Sequence, residues 1–462
     1  MVQEIFILIL LIITIVSLKN IKYGILFIII AVPFNLLLRL LLGIGLFSQV
    51  WHNSFIILLS FITLTRHIID HKYYIKINKL DVMLMIAFSY GVFSVLYNYI
   101  ISDSLYVSLQ GFRTYYLGIS LYFIVRFYIK KIEDIRMLTR AIMFVVFISS
   151  IAIIIEFTLS NLRIITPQDI AKIQVVSSIY DDELSDFVTF SESSIVRPMG
   201  IFFSIQFSAA FILIGALLGL PSCGTKIYSN IYFFRFSVFL TILVALFLST
   251  SRTVIYSFFL TLLLMISKFR ISLKKPMIAF GVLFFILTII NFESFYTSYL
   301  ENQLKGEDTH IHDVKSFISI IPNLVSKIPV FSIFWGIGFN ADPYAKYVLG
   351  VQTLYDTTFQ DFDIGAEGIF KYFINVGLIG LIIFILQNFI AFKRGIYLAQ
   401  KIAPSFFRNI LIGFSFVIIG LCFSSIHEMP IAAPGIQYIY YIILAIIGSF
   451  DTTWVKINKP LI

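Results

Sequence analysis

Apolar runs long enough to cross a bilayer recur from one end of this 462-residue chain to the other. A backbone inside hydrocarbon has to satisfy its own hydrogen bonds, so runs of this length leave the helix as the usable element. A membrane β-barrel would show short alternating segments instead, and the chain has none. It is 59% hydrophobic and only 13% charged, about half the charged share of an ordinary soluble domain. The expected fold is all-α: one polytopic membrane domain covering residues 1–462, with about 12–14 transmembrane helices.

The spans read as approximately 5–18, 24–47, 53–66, 80–101, 114–129, 141–160, 199–220, 230–249, 254–267, 276–291, 368–392, 408–426 and 436–450. Pro33 and Arg39 fall inside the second, which predicts a break or kink there. The start, MVQEIFILIL, lacks the basic stretch and small-residue cleavage site of a signal peptide and reads as a retained first span.

Charge in the connecting loops sets the orientation. Most of the 34 Lys and Arg fall in alternate loops, around Lys19, Arg66 to Lys79, Lys130 to Arg140, Lys226, Lys268 to Lys275, Lys393 to Arg408, and Lys456. That face is expected to be cytoplasmic. The opposite face carries two long loops, about 161–198 and about 292–367, with most of the 25 acids. The second contains SFISIIPNLVSKIPVFSIFWGIGF, whose apolar residues around Pro322 and Pro329 predict short amphipathic helices on the membrane surface. The N-terminus is outside for an odd number of spans and inside if 24–47 crosses twice.

The net charge of +9 does not indicate nucleic acid, because the bases are scattered over span ends and form no stripe. Cys223 falls in a loop and Cys422 in a span, so they form no structural pair. His310 and His312 lack a third ligand at a metal-binding spacing, and no metal or cofactor is expected. Nucleotide-binding and hydrolase fingerprints are absent from the sequence.

Three arginines break the charge rule by standing at outer span ends: Arg113 in GFRTYYLG, Arg197 in SIVRPMGIF and Arg252 in STSRTVIY. A guanidinium offers a planar fork that fits phosphate oxygens and stays charged near lipid. Pro198 suits the first turn of a helix, whose N-terminus also favours anions. One such arginine alone reads as snorkelling to lipid phosphates; three on one face point to a diphosphate site. Arg126 reads as snorkelling, Arg39 and Arg235 as cavity-lining, and Glu156 as a partner for an outer arginine. On the same face, Asp361, Asp363 and Glu367 precede the run GIFKYFINVGLIGLIIFI. A carboxylate partly desolvated beside a membrane is a better general base; alternatively, these acids solvate the loop or cap the next helix. His427, followed by Glu428 in the last outer loop, is a further base candidate.

The stretches GFRTYYLGISLYFIVRF, RPMGIFFSIQFSAAF, LSTSRTVIYSFFL, FWGIGF and EGIFKYFINVGLIGLIIF resemble, in their order over roughly residues 110 to 390, the O-antigen polymerase and O-antigen ligase superfamily of bacterial inner-membrane proteins. The resemblance implies a metal-independent glycosyltransferase of the GT-C type. Its active site would face the periplasm, and its substrates would be oligosaccharides carried on undecaprenyl diphosphate in the bilayer. A chain-length regulator protein is a further candidate partner. Ligases of this superfamily carry a His-Asn pair before the helix that follows the large loop. This chain has Glu367 and Gly368 there, which favours a repeat-unit polymerase over a ligase. A transporter or flippase is the reading outside the enzyme class; the absence of an internal repeat and the gathering of charge at one rim argue against it.

Overall fold

The computed structural model describes residues 2–35, 38, 46–70, 77–102, 105–129, 131–162, 164, 198–202, 204–222, 230–249, 251–269, 330–336, 368–402, 405–426 and 429–450. Among these residues there is helix and no strand. The α-helices are α1 (Val2–Lys19), α2 (Lys22–Ala31), α3 (Leu46–Asp70), α4 (Lys79–Ser102), α5 (Leu105–Tyr115), α6 (Leu117–Tyr128) and α7 (Ile132–Asn161). They continue as α8 (Ile205–Ser222), α9 (Asn230–Leu248), α10 (Arg252–Phe269), α11 (Val330–Trp335), α12 (Gly368–Lys401), α13 (Phe406–Ser424) and α14 (Pro434–Ser449). Short 3₁₀ turns occupy Val32–Phe34, Gly200–Phe202 and Pro430–Ala432.

Four of these helices contain segments long and apolar enough to cross a membrane: Lys79–Ile100, Ile132–Ser160, Tyr372–Lys401 and Phe406–Ser424. Shorter apolar helices, such as Leu117–Tyr128 and Pro434–Ser449, complete the bundle. Every expected span overlaps a described helix except 276–291, which lies outside the described residues. The expected break in the second span is present: Pro33 ends α2 in a 3₁₀ turn. The short helix α11 lies within the expected large loop; the rest of that loop is outside the described residues.

α14 forms the centre of the bundle. From Gly435 to Ser449 every residue is buried, as expected of a helix that is apolar all round. α13 lies close to α8, because a Cβ on Gly413 would stand only 3.0 Å from Leu218 Cα. Small residues at such crossings let backbones approach, which matters where lipid removes the hydrophobic drive for helix association. The outer surface is apolar too: Ile7, Leu11, Phe61, Leu263 and Phe389 are all exposed.

The two ends of the bundle differ. At the basic end, Asn78 caps α4, its Oδ1 accepting from the backbone N–H of Leu80 (2.8 Å) and Asp81 (3.1 Å). Asp81 Oδ2 returns the bond to the Asn78 N–H at 2.8 Å, a reciprocal cap. Asp81 Oδ1 accepts from Tyr122 Oη at 2.5 Å and pairs with Arg126 Nε at 3.3 Å. Arg126 therefore does not snorkel; it is held by a buried carboxylate. Arg394 donates to the carbonyls of Ile447 (3.2 Å), Gly448 (3.2 Å) and Phe450 (2.8 Å), which occupies the last carbonyls of α14. The opposite end is built from interrupted helices, and it holds the candidate site.

Candidate functional site

The interruptions come from specific residues. α5 and α6 meet at Tyr116, in the stretch GFRTYYLG. At this jog the Thr114 carbonyl accepts from Gln437 Nε2 of α14 at 2.6 Å. Tyr441 Oη, one turn further along α14, donates to the Tyr115 carbonyl at 3.4 Å. These bonds fasten the jog to the central helix.

α12 breaks at Gly377, whose φ of 68° and ψ of 179° lie in a region that only glycine occupies readily. Facing it is Gly336, at φ 78°, just after α11 in FWGIGF. The two glycines form a backbone-on-backbone seam. A Cβ on Gly336 would meet the Asn375 carbonyl oxygen at 2.3 Å, and one on Gly377 would meet Gly336 N at 2.4 Å. Neither position has room for a side chain.

Tyr90 of α4 stitches the seam. Its hydroxyl donates to the Val376 carbonyl at 2.5 Å and lies 3.2 Å from the Trp335 carbonyl. The backbone N–H of Gly380 faces the same hydroxyl. Gly380 and Val376 are i and i−4 on one helix, so the phenol stands inside the hydrogen-bond ladder of α12, a known cause of kinks. The Tyr90 ring also stacks on Trp335, with centroids 5.9 Å apart and planes at 17°.

The jog and the seam touch. Asn375 Nδ2 donates to Tyr115 Oη at 2.6 Å, and the rings of Tyr115 and Tyr372 meet edge-on at 5.2 Å. Asn375 Oδ1 and Tyr116 Oη are buried without a hydrogen-bond partner among the described residues. An apolar groove of about 650 Å³ runs beside the seam between α4 and α12, lined by Val82, Met85, Phe93, Trp335 and Ile383.

Of the sequence-derived site residues, Arg113 is described with its side chain. It is half-buried in the last turn of α5, and its charge reaches the phenol of Tyr438. Tyr438 Oη in turn donates to Asn53 Oδ1 at 2.9 Å. Arg252 is the first residue of α10, at the end of an apolar helix; nothing is described of its side chain. Arg197, Asp361, Asp363, Glu367, His427 and Glu428 lie outside the described residues, as does Arg39. α12 begins at Gly368, directly after Glu367.

Glu156 was expected to pair with an outer arginine; of these, Arg197 and the side chain of Arg252 lie outside the described residues. Its carboxylate accepts from the backbone N–H of Met199 and of Gly200, each at 2.8 Å, and Gly200 has φ 63°. It holds the turn that follows Arg197, using backbone donors. Ser208 Oγ donates to the Met199 carbonyl and completes this corner. Arg235 stacks over Phe406 at the basic end. Sequence reasoning missed Tyr90, Asn375, Gln437 and the paired glycines. The glycines of FWGIGF and NVGLIG inside apolar runs were the available signal; Tyr90 gave none.

No protein-family model matches the chain, and no curated protein matches it. The class defined by the described residues is an all-α protein with helices fit to cross a membrane.

Proposed function

We propose that this protein is a surface-polysaccharide repeat-unit polymerase of the bacterial inner membrane, with its interrupted end facing the periplasm. One observation carries the reading. Two stretches from distant parts of the chain, FWGIGF and GIFKYFINVGLIGLIIF, interlock at the Gly336–Gly377 seam, and Asn375 fastens GFRTYYLG to them. Irregular backbone and buried polar groups at such an end are costly in a membrane protein and tend to be kept for chemistry or transport.

In this reading the growing glycan on undecaprenyl diphosphate is the donor. A sugar hydroxyl of a new lipid-linked repeat is the acceptor. Glu367 takes the hydroxyl proton as the oxygen bonds to the donor's anomeric carbon. The bond from that carbon to the diphosphate breaks, and the diphosphate leaves with the electron pair. Arg113, Arg197 and Arg252 stabilise its charge, which is the part of catalysis that positioned cations supply best. The apolar groove beside Trp335 suits a lipid tail.

Deletion of the gene in its native host tests the reading. Lipopolysaccharide capped with a single repeat is the expected phenotype. Long polymer accumulating on the lipid carrier would indicate a ligase, and unpolymerised repeats trapped on the cytoplasmic side would indicate a flippase.

A further inference from the structure

The basic end holds a cluster that the polymerase reading leaves unused. Arg136 of α7 stacks over Phe406 and Phe407 of α13, with its guanidinium carbon 5.9 and 5.6 Å from the ring centroids. Arg235 of α9 stands over the same Phe406 at 5.9 Å. Arg408, one residue past Phe407, has its Nε buried with no hydrogen-bond partner among the described residues. Guanidiniums from two separate helices therefore converge on one aromatic pair, and Arg408 follows that pair directly in the chain.

None of the three has a carboxylate partner among the described residues. The nearby acids are committed elsewhere or point outward: Asp81 holds Arg126, Asp134 accepts from Tyr128 and the Lys131 N–H, and Glu133 is exposed. All three arginines also stand in the first two turns of their helices. Peptide dipoles make those ends positive, so a cation there is disfavoured, most of all Arg408 in the first turn. Orienting the chain in a membrane needs bases in the loops; it does not need them to meet on a shared pair of rings.

Stacking engages the face of a guanidinium and leaves its in-plane N–H donors free. Those donors match the oxygens of a phosphate. Basic pockets between membrane helices are known to take lipid headgroups. We propose that Arg136 and Arg235, seated on Phe406 and Phe407 next to Arg408 in the chain, bind the phosphodiester headgroup of an anionic phospholipid at the basic end. The proposal is independent of the polymerase reading, since the interrupted end contributes nothing to it.

The test uses the full chain purified in neutral detergent and titrated with phosphatidylglycerol or phosphatidylcholine, bound lipid being counted by native mass spectrometry. Each basic residue near a membrane surface contributes about fivefold to anionic lipid affinity, so Arg136→Gln with Arg235→Gln should weaken phosphatidylglycerol binding by roughly 25-fold. Arg140→Gln, on an exposed residue one turn along α7, should leave it unchanged. Equal weakening by Arg140→Gln would mean diffuse charge and overturn the site, as would undiminished binding by the double variant or equal binding of phosphatidylcholine. Displacement of the lipid by millimolar inorganic phosphate that itself saturates the wild type would assign the cluster to a free anion instead. A second measurement needs no variant: a photoactivatable headgroup on phosphatidylglycerol should crosslink wild-type protein around Phe406 to Arg408. Crosslinks confined to the interrupted end would contradict the proposal.

Discussion

The two ends of this bundle are made of similar residues and solve opposite problems. At the basic end, caps and charges close the helix termini: Asn78 and Asp81 finish α4, and Arg394 occupies the last carbonyls of α14. At the interrupted end, helices stop early and their loose groups are met by side chains from elsewhere. Tyr90 plugs the ladder of α12, Gln437 takes the Thr114 carbonyl, and Glu156 gathers two backbone N–H groups. All three positive-φ glycines among the described residues, Gly200, Gly336 and Gly377, belong to that end. One end is tied for stability. The other stores irregular backbone, which in proteins clusters where ligands are handled.

The largest effect that can break this comparison is chemical. Glu367→Gln removes the proposed base while keeping size, and should cut polymer formation by about 10²–10⁴-fold at unchanged membrane levels. Asp361→Asn, Asp363→Asn and His427→Ala run alongside. A near-normal ladder for Glu367→Gln with loss in one of those three moves the base to that residue.

Next comes the basic end. Arg126 and Asp81 are 11% and 5% exposed in their side chains. Breaking a buried pair from one side costs about 3–5 kcal/mol, so Asp81→Asn should lower thermal stability in detergent sharply. The protein that does fold should give an unchanged polymer ladder, since in this account the Asp81–Arg126 pair only holds the fold. A shortened ladder at matched protein levels would blur the division between the ends.

Smaller still is the seam. Gly336→Ala and Gly377→Ala each force a Cβ against backbone atoms and a φ that L-residues avoid, at about 1–3 kcal/mol each. Both should lose activity along with stability. Gly420→Ala, whose Cβ would meet the flexible Leu217 Cδ1 at 2.6 Å, is the control for simple overpacking. Equal melting points for the three would remove the case for a strained seam. The mildest change is Tyr90→Phe, which deletes the hydroxyl bonded to the Val376 carbonyl and should cost about 0.5–1.5 kcal/mol. Faster amide exchange confined to the first three turns of α12 is the expected signature.

The helices were legible because apolar runs and flanking Lys and Arg mark them directly; Pro33 announced its own break. The fates of Arg126 and Glu156 were not legible. Each is decided by a partner more than 40 positions away, Asp81 in one case and the Met199 and Gly200 backbone in the other, and periodicity carries no such information. Gly377 was hidden for a different reason: glycine is ordinary inside membrane helices, so a break there looks like any other small residue at a crossing. Arg113 was visible as a violation of the charge rule, and it stands in the last turn of α5 at the interrupted end.

The most direct test of the account sets one arginine from each end against the other. Arg113→Lys and Arg126→Lys both keep the charge and lose the planar fork. Polymer ladders from a complemented deletion strain, compared at matched membrane levels, should be lost or shortened with Arg113→Lys and normal with Arg126→Lys. A normal ladder from Arg113→Lys together with a lost one from Arg126→Lys would contradict the assignment of function to the interrupted end.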